Sequence, residues 1–250
     1  MSKLSRFFIK PGHIENGWVT ITGDDAHHIT RVLRLQPGDL IECVDYDEQV
    51  HQVELKELGA SVVGRVHRTR QFSQESPLHL TLFQGLAKGD KMDLIVQKAV
   101  ELGVQDIIPF SSRYTVVQLT EKQATTRQER WERIAHEAAK QSRRTRLPVV
   151  HKLHSFQEVL GSIQTRRGQG DLVLLAYEGE KYKGLGRIDA HKPTSVAVLI
   201  GPEGGFSPEE VAELTQLGAQ TWSLGPRILR TETAGLVALS LLGYKWGDLG

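Results

Sequence analysis

The sequence has little cysteine, since Cys43 is the only one. A single cysteine excludes an internal disulfide framework and a zinc site made of several cysteines. Free cysteines usually behave as small apolar side chains, so Cys43 is predicted to lie buried in a strand. The motifs HExxH and GxSxG are also missing, and the adjacent His27 and His28 would point about 100° apart on a helix. No metal site is therefore expected.

The sequence also lacks a long apolar run. No stretch approaches the roughly 20 apolar residues that span a bilayer, and the N-terminal segment has no signal-peptide core. The net charge is only +1, and the content of 39% hydrophobic and 24% charged residues is typical of globular proteins. These features predict a cytoplasmic protein that does not contact a membrane.

Basic residues are nevertheless clustered. Arg143 belongs to a group at 140–146 that contains no acidic residue, a second group lies at 65–70, and Arg31 and Arg34 form a third. Such groups can contact phosphates locally even in a nearly neutral chain. Solvated helix faces explain each group equally well, so the residues alone leave both interpretations open.

Residues 1–72 are predicted to form a small β-barrel, because short alternating runs recur at 18–22, 39–45, 50–55 and 61–66. One helix interrupts these strands and ends before Gln36-Pro37-Gly38, with Asp24 or Asp25 as its cap. Its core-facing stripe is predicted to contain Ile29, Val32 and Leu33, and its other face the neighbouring histidines and arginines.

A different pattern follows the polar linker at 71–77. Strands alternate with helices over residues 73–250, which predicts an α/β domain with a largely parallel sheet. Strands are predicted at 78–84, 106–109, 171–177, 196–200 and near 221–224, and helices at 90–102, at 127–142, from Ser207 and from about Thr231. Ser207, Pro208 and Glu210 form a capping box with proline in the first turn.

Three glycine-containing loops follow predicted strands of this domain, at 176–179, 201–205 and 224–230. Ligands of open α/β sheets bind beyond the carboxyl ends of the strands, where helix N-termini offer free backbone N–H groups. The three loops are therefore predicted to form one ligand site. Neither GxxxxGK[ST] nor GxGxxG occurs in them, which disfavours a Walker-type phosphate loop and a nucleotide-binding oxidoreductase.

The chain resembles the RsmE-type 16S ribosomal RNA uridine N3-methyltransferases, which belong to the SPOUT class. The resemblance rests on segments in the family's order at 6–9, 27–35, 88–93, 97–104 and 137–144. Its most specific parts are LeuIleGlyProGluGlyGlyPheSer at 199–207 and LeuGlyProArgIleLeuArgThrGluThrAla at 224–234.

The resemblance implies a PUA-like RNA-binding domain at 1–72 and a methyltransferase domain at 73–250 whose last part is a trefoil knot. It further implies a homodimer, S-adenosylmethionine as cofactor, and one uridine of the small ribosomal subunit RNA as target. The expected cofactor-binding residues are Leu175, Ala176, Tyr177, Ile200, Gly201, Glu203, Gly204, Leu224, Gly225, Ile228 and Leu229. The expected RNA-binding residues are Arg6, His28, Arg31, Arg34, Lys88, Lys91, Arg113 and Arg143.

The implied reaction assigns roles to three further side chains. Uridine N3 becomes nucleophilic only after it loses its proton, so the enzyme needs a base and a group that stabilises the uracil anion. Arg230 is expected to meet a uracil oxygen, and Glu232 or Glu203 to act as the base. Glu232 in a first helical turn also fits a role in complementing the helix dipole, and Glu203 a role in orienting its loop.

Two other functions remain open from the sequence. One is a related methyltransferase that acts on another RNA or another atom. The other is a non-catalytic RNA-binding protein of ribosome assembly, against which the glycines at 201, 204, 205 and 225 argue. A chain without a ligand in these turns has no need to keep them.

Overall fold

A computed structural model describes residues 4–71, 73–188 and 191–250, so Phe72 of the predicted linker lies outside the described residues. The chain divides into two compact units. Unit 1 comprises Met1–Glu75 together with Ala139–Arg146, and unit 2 comprises Ser76–Ala138 and Leu147–Gly250. In the described part of the chain, no helix has the length and apolar character needed to cross a membrane.

Unit 1 is built on a six-stranded sheet in the order β1-β4-β5-β6-β3-β2. Its strands are β1 (Arg6–Phe8), β2 (Ile14–Glu15), β3 (Trp18–Ile21), β4 (Leu40–Val44), β5 (Gln49–Leu58) and β6 (Val62–Gln71). The β1–β4 pair is parallel and the other pairs are antiparallel. Cys43 is fully buried in β4, as predicted, and burial raises the pKa of its thiol.

The helix of unit 1 differs from the sequence-based expectation. Helix α1 (Gly23–His27) has Thr22 as its N-cap, not Asp24 or Asp25, and continues as a π-helix over His28–Val32. A π-helix has more residues per turn than an α-helix. Apolar residues that are spaced to share one face of an α-helix therefore do not all share one face of a π-helix. Ile29 stays in the core, but the prediction was wrong for Val32 and Leu33, which are exposed.

The segment 139–146 lies outside the predicted 1–72 domain, yet its contacts are within unit 1. Arg143 and Arg144 form ion pairs with Glu42 and Glu75, and Arg146 pairs with Glu48. The sequence shows the basic group but not its acidic partners, which lie about 70 to 100 residues away in the chain.

Unit 2 contains a seven-stranded sheet in the order β10-β8-β7-β12-β11-β13, with β9 paired to β8. Its strands are β7 (His79–Gly85), β8 (Asp106–Ser111), β9 (Val149–Val150), β10 (His154–Ser155), β11 (Leu172–Ala176), β12 (Ser195–Ile200) and β13 (Gln220–Trp222). Every strand pair in it is parallel, as predicted. The α/β class is thereby confirmed.

Five helices accompany this sheet among the described residues. They are α2 (Lys91–Glu101), α3 (Glu121–Gln141), which ends in the 139–146 segment, α4 (Phe156–Gly168), α5 (Pro208–Gln216) and α6 (Thr231–Trp246). The sequence analysis did not identify α4, although Ser155 and Glu158 form a complete capping box at its start. The trefoil knot that the resemblance implies stays a prediction.

The core on one side of the sheet is apolar. Phe83, Phe110, Val173, Leu175 and Leu199 of the strands pack there with residues of α4 and α5. Burial of these side chains drives the packing of the layers and holds β11 and β12 side by side.

Candidate functional site

The three predicted loops meet at one cavity of unit 2. They follow β11, β12 and β13, which are neighbours in the sheet, so their carboxyl ends open at the same edge. The cavity has a volume of about 440 Å³, and its walls come from the 176–179, 201–205 and 224–230 loops together with Lys91 and the start of α6. This volume lies in the range of small-molecule sites.

Close backbone packing shapes the cavity wall. A Cβ at Gly85, the last residue of β7, would lie 2.3 Å from the backbone nitrogen of Pro202, so only glycine allows the 201–205 loop to lie against the strand. Gly225 has a φ of +116°, which is unfavourable for a residue with a side chain. The sequence predicted the loops, but it did not identify Gly85.

The N-terminus of α5 is fixed as predicted. Ser207 N–H donates to Glu210 Oε2 at 2.9 Å, and Glu210 N–H donates to Ser207 Oγ at 3.3 Å. Glu210 Oε1 also accepts the backbone N–H of Arg113 at 2.8 Å. Ser207 is fully buried, so this capping box anchors the end of the 201–205 loop.

A buried hydrogen-bond chain joins this loop to α6. Thr231 Oγ1 donates to the carbonyl oxygen of Gly201 at 2.7 Å and accepts from Gln84 Nε2 at 2.9 Å. Gln84 Nε2 also donates to the carbonyl oxygen of Gly85 at 3.0 Å. Three parts of the cavity wall, namely the end of β7, the 201–205 loop and the first turn of α6, are thereby held together.

Lys91 connects the two carboxylates that were candidates for the base. Its Nζ lies 3.0 Å from Glu203 Oε1 and 3.5 Å from Glu232 Oε2. Glu203 Oε1 also accepts the backbone N–H of Lys88 at 3.0 Å. Partial burial alone would raise the pKa of Glu203, but the bonds from Lys88 and Lys91 outweigh it and lower the pKa below its ordinary value. The bond to Glu203 raises the pKa of Lys91.

The second candidate, Glu232, has a longer contact with Lys91. Its Oε2 is buried and lies 3.5 Å from Lys91 Nζ, and it forms no shorter hydrogen bond in the described part of the chain. Lys91 lines the cavity, whereas Glu232 is not among the lining residues. The two carboxylates thus have different environments, since Glu203 accepts two hydrogen bonds at 3.0 Å and Glu232 has the longer contact.

Arg230 is the N-cap residue of α6 and lines the cavity. Its side chain is exposed and has neither a hydrogen bond nor an ion pair with the residues that the structure describes. Arg227 also lines the cavity. An unpaired guanidinium in a cavity wall is available to a ligand, because no protein partner has to be displaced first.

Most of the predicted cofactor-binding residues lie together at this cavity. The lining includes Ala176, Tyr177, Ile200, Gly201, Glu203, Leu224, Gly225, Ile228 and Leu229. Leu175 instead lies in the apolar core, and a Cβ at Gly204 would meet Tyr114 at 2.6 Å. Glu178 and Ala234 also line the cavity and were not predicted, although Glu178 belongs to a loop that the strand-end rule identifies.

The predicted RNA-binding residues of unit 1 have different surroundings. Arg6 is buried and binds Glu42 through Nη2 at 2.8 Å, and Arg143 pairs with the same carboxylate. The ring of His28 lies edge-on to Phe7. Arg31 and Arg34 are exposed.

The predicted RNA-binding residues of unit 2 are three. Lys88 is exposed and Lys91 lies in the cavity wall. Arg113 Nη1 donates to Glu209 Oε2 at 3.0 Å. A role in RNA binding stays a prediction for all of these residues.

Comparison with known proteins gives the family. The model of the RNA methyltransferase domain matches residues 74–243, and that of the RNA methyltransferase PUA domain matches residues 21–61. The chain is 40% identical over 235 residues to the ribosomal RNA small subunit methyltransferase E of Bacillus subtilis, with 90% of each chain covered. This chain belongs to that family. The relative from Synechocystis, with the same name, is 33% identical over 94% of this chain and 76% of its own.

Solved structures agree with the family assignment. A ribosomal RNA small subunit methyltransferase E from Neisseria gonorrhoeae, bound to S-adenosyl methionine, superposes with a TM-score of 0.88 at 31% identity, and covers 99% of this chain and 100% of its own. A putative methyltransferase from Legionella pneumophila in complex with the same cofactor gives a TM-score of 0.88 at 29% identity, with 99% and 100% covered. The PUA-like and α/β methyltransferase fold is confirmed.

Proposed function

We propose that this chain methylates N3 of one uridine in 16S ribosomal RNA, with S-adenosylmethionine as the methyl donor. The proposal rests on the cavity at three parallel strand ends, where Arg230 has no ion pair with the described residues, in a chain of the small subunit methyltransferase E family. The Neisseria relative, whose structure contains the cofactor, supports the choice of methyl donor.

The cavity fits the cofactor in size and chemistry. Its apolar lining includes Ile200, Leu224 and Leu229, which suit an adenine ring, and its backbone turns offer polar groups. Glu178 and Arg227 supply charges of both signs for the amino and carboxylate groups of the methionine part. When bound, the cofactor supplies a methyl group that its sulfonium has already activated.

The residues then have to remove the N3 proton, for which Glu203 and Glu232 are the two candidates. Glu203 lines the cavity, but the bonds from Lys88 and Lys91 lower its pKa and make it a weaker base than an unpaired carboxylate. Glu232 does not line the cavity and meets it through Lys91, with 3.5 Å between Lys91 Nζ and Glu232 Oε2. A base has to reach the proton that it removes, so we assign this step to Glu203 and the positioning of Lys91 to Glu232.

Arg230 stabilises the uracil anion that forms as the proton leaves. Its fixed positive charge lies in the cavity wall and forms no ion pair with a carboxylate among the described residues. A preorganised donor of this kind stabilises the charge that the uracil oxygens gain when N3 loses its proton, a charge that the neutral substrate lacks. The N3 edge must be unpaired to react, so the target is a loop nucleotide or a flipped base.

The proposal is tested by methylation of unmodified small ribosomal subunits. The subunits are incubated with the protein and labelled S-adenosylmethionine, and the RNA is digested to nucleosides for mass analysis. We expect label only in 3-methyluridine of 16S RNA. Label in another nucleoside would indicate a related methyltransferase, and bound RNA without label would indicate a non-catalytic assembly factor.

We also propose that the protein is a homodimer and acts in the cytoplasm, where ribosomal subunits mature. Leu241 and Tyr244 on α6 are exposed apolar side chains, which supports a protein contact at this helix. Light scattering that gives the mass of one chain at micromolar concentration would contradict the dimer.

A further inference from the structure

Lys91 lies between two carboxylates at unequal distances. Its Nζ is 3.0 Å from Glu203 Oε1 and 3.5 Å from Glu232 Oε2. The second contact is too long for an ordinary hydrogen bond between an ammonium group and a carboxylate, which measures about 2.7–2.9 Å. A shift of Nζ by less than about 1 Å is therefore enough to make Glu232 the closer partner.

The two carboxylates differ in the donors that they already have. Glu203 Oε1 accepts the backbone N–H of Lys88 and the ammonium group of Lys91, both at 3.0 Å, and these donors fill its two lone pairs. Glu232 Oε2 is buried and has no hydrogen-bond partner among the described residues. A buried carboxylate oxygen without a donor is unfavourable, so Glu232 offers Lys91 a second place to bind.

The charges favour the same shift once the base has taken up a proton. One ammonium group faces two carboxylates in the free protein. When a proton passes from uridine N3 to Glu203, the N3–H bond breaks, its electron pair stays on the nitrogen, and Glu203 becomes neutral. Lys91 then has only the charge of Glu232 to pair with. The other charged groups of the cavity wall form no ion pair with these three side chains in the described part of the chain; they are Glu178, Arg227 and Arg230.

We propose that Lys91 changes partner during the reaction: its ammonium group binds Glu203 in the free protein and Glu232 once the N3–H group of the uridine has taken its place on Glu203. Glu232 is then a positioning residue that receives Lys91 and does not itself touch the substrate. This inference rests on the proposed function for the reaction that it serves. The base thus becomes available only when the target nucleotide has reached the cavity.

Single-turnover methylation at saturating RNA and cofactor tests the change of partner. Glu232→Gln removes the charge that receives Lys91, so the rate should fall by about 10²-fold, the lower end of what a positioned general base contributes. Adding Lys91→Met to this variant should recover about tenfold of the loss, because no ammonium group then has to leave Glu203. Neither a purely structural Glu232 nor a Glu232 that acts as the base would show this recovery.

Lys98→Met is the matched control for the second substitution. Lys98 lies on the same helix, α2, and forms an exposed ion pair with Glu101 at 2.9 Å. Glu232→Gln/Lys98→Met should be as slow as Glu232→Gln alone. A Glu232→Gln/Lys91→Met variant that is equally slow would overturn the proposal, and so would a wild-type rate in Glu232→Gln.

A crystal structure of Glu203→Gln tests the inference without RNA. Glutamine has the shape of a glutamate that has taken up a proton and carries no charge. Lys91 Nζ should then lie within about 2.9 Å of Glu232 Oε2. A separation that stays at 3.5 Å would overturn the proposal. Wild-type protein that methylates nothing would instead refute the proposed function, whatever the position of Lys91 in this variant.

Discussion

Thr231→Val tests whether the hydrogen bonds between α6 and the 201–205 loop hold the cavity wall. The substitution keeps the shape of a buried side chain and removes only the hydroxyl. Gly201 then loses a donor at 2.7 Å, and Gln84 Nε2 loses an acceptor at 2.9 Å. Gln84 retains its bond to Gly85, so one of its two bonds is lost.

The expected loss of stability follows from these two bonds. Leaving a buried polar group without its partner costs about 1–3 kcal/mol, and Gly201 is only half-buried, so we expect a total of about 2 kcal/mol. For a chain of this size the melting temperature should fall by about 4 to 8 °C. We also expect a smaller rise in melting temperature on addition of S-adenosylmethionine, because the loop is less well ordered. Differential scanning calorimetry with and without the cofactor measures both.

Thr233→Val is the matched control, since Thr233 lies in the same helical turn but is exposed. Its melting temperature should change by less than about 2 °C, because surface substitutions cost at most about 0.5 kcal/mol. Equal melting temperatures for Thr231→Val and Thr233→Val would refute the reasoning that the buried hydroxyl carries the connection.

Three further predictions concern the cavity and the opposite edge of the sheet. Arg230→Ala should lower the single-turnover methylation rate by about 10²–10³-fold with little change in cofactor affinity. Arg230→Lys should restore only part of the rate. A joint loss of cofactor binding and thermal stability would contradict a catalytic role. Ala234→Leu places a larger side chain of α6 in the cavity wall with only a small loss of helix propensity. Calorimetry should therefore show weaker cofactor binding, and circular dichroism should show unchanged helix content. Asp106 is partly buried, which by itself raises its pKa, but the hydrogen bonds to His151 and His79 outweigh this and lower the pKa below 3.8. Its contribution to the free energy of unfolding should be complete above that value and be lost as the pH falls further. Asp106→Asn should therefore flatten the fall in stability between about pH 4 and pH 2, and equal slopes in urea titrations would contradict this prediction.

Local patterns in the sequence were sufficient for much of unit 2. Alternation of apolar runs with helical periodicity predicted the parallel sheet, because only crossover helices return the chain to pair parallel strands. The capping box at Ser207 and Glu210 fixed the start of α5 within a few residues. The same signal at Ser155 and Glu158 marks α4, which the sequence analysis did not use.

The positions of the loops could be predicted, but their interactions could not. Strand ends placed the 201–205 and 224–230 loops at one edge of the sheet. The bond of Gln84 to Thr231 joins residues 147 positions apart, and no local pattern encodes it. The distinction between Glu203 and Glu232 likewise depends on where Lys91 and the Lys88 backbone lie.

Features that depend on neighbouring residues could be predicted from the sequence: the order and type of most elements, the capping box of α5, and the loops at the strand ends. Features that depend on contacts distant in sequence required the tertiary structure. It shows that Arg143 pairs with Glu42 in unit 1 and that Gly85 must be small because Pro202 lies against it. It also exposes Val32, because a π-helix changes the angle between successive side chains and removes this residue from the stripe that an α-helix would bury.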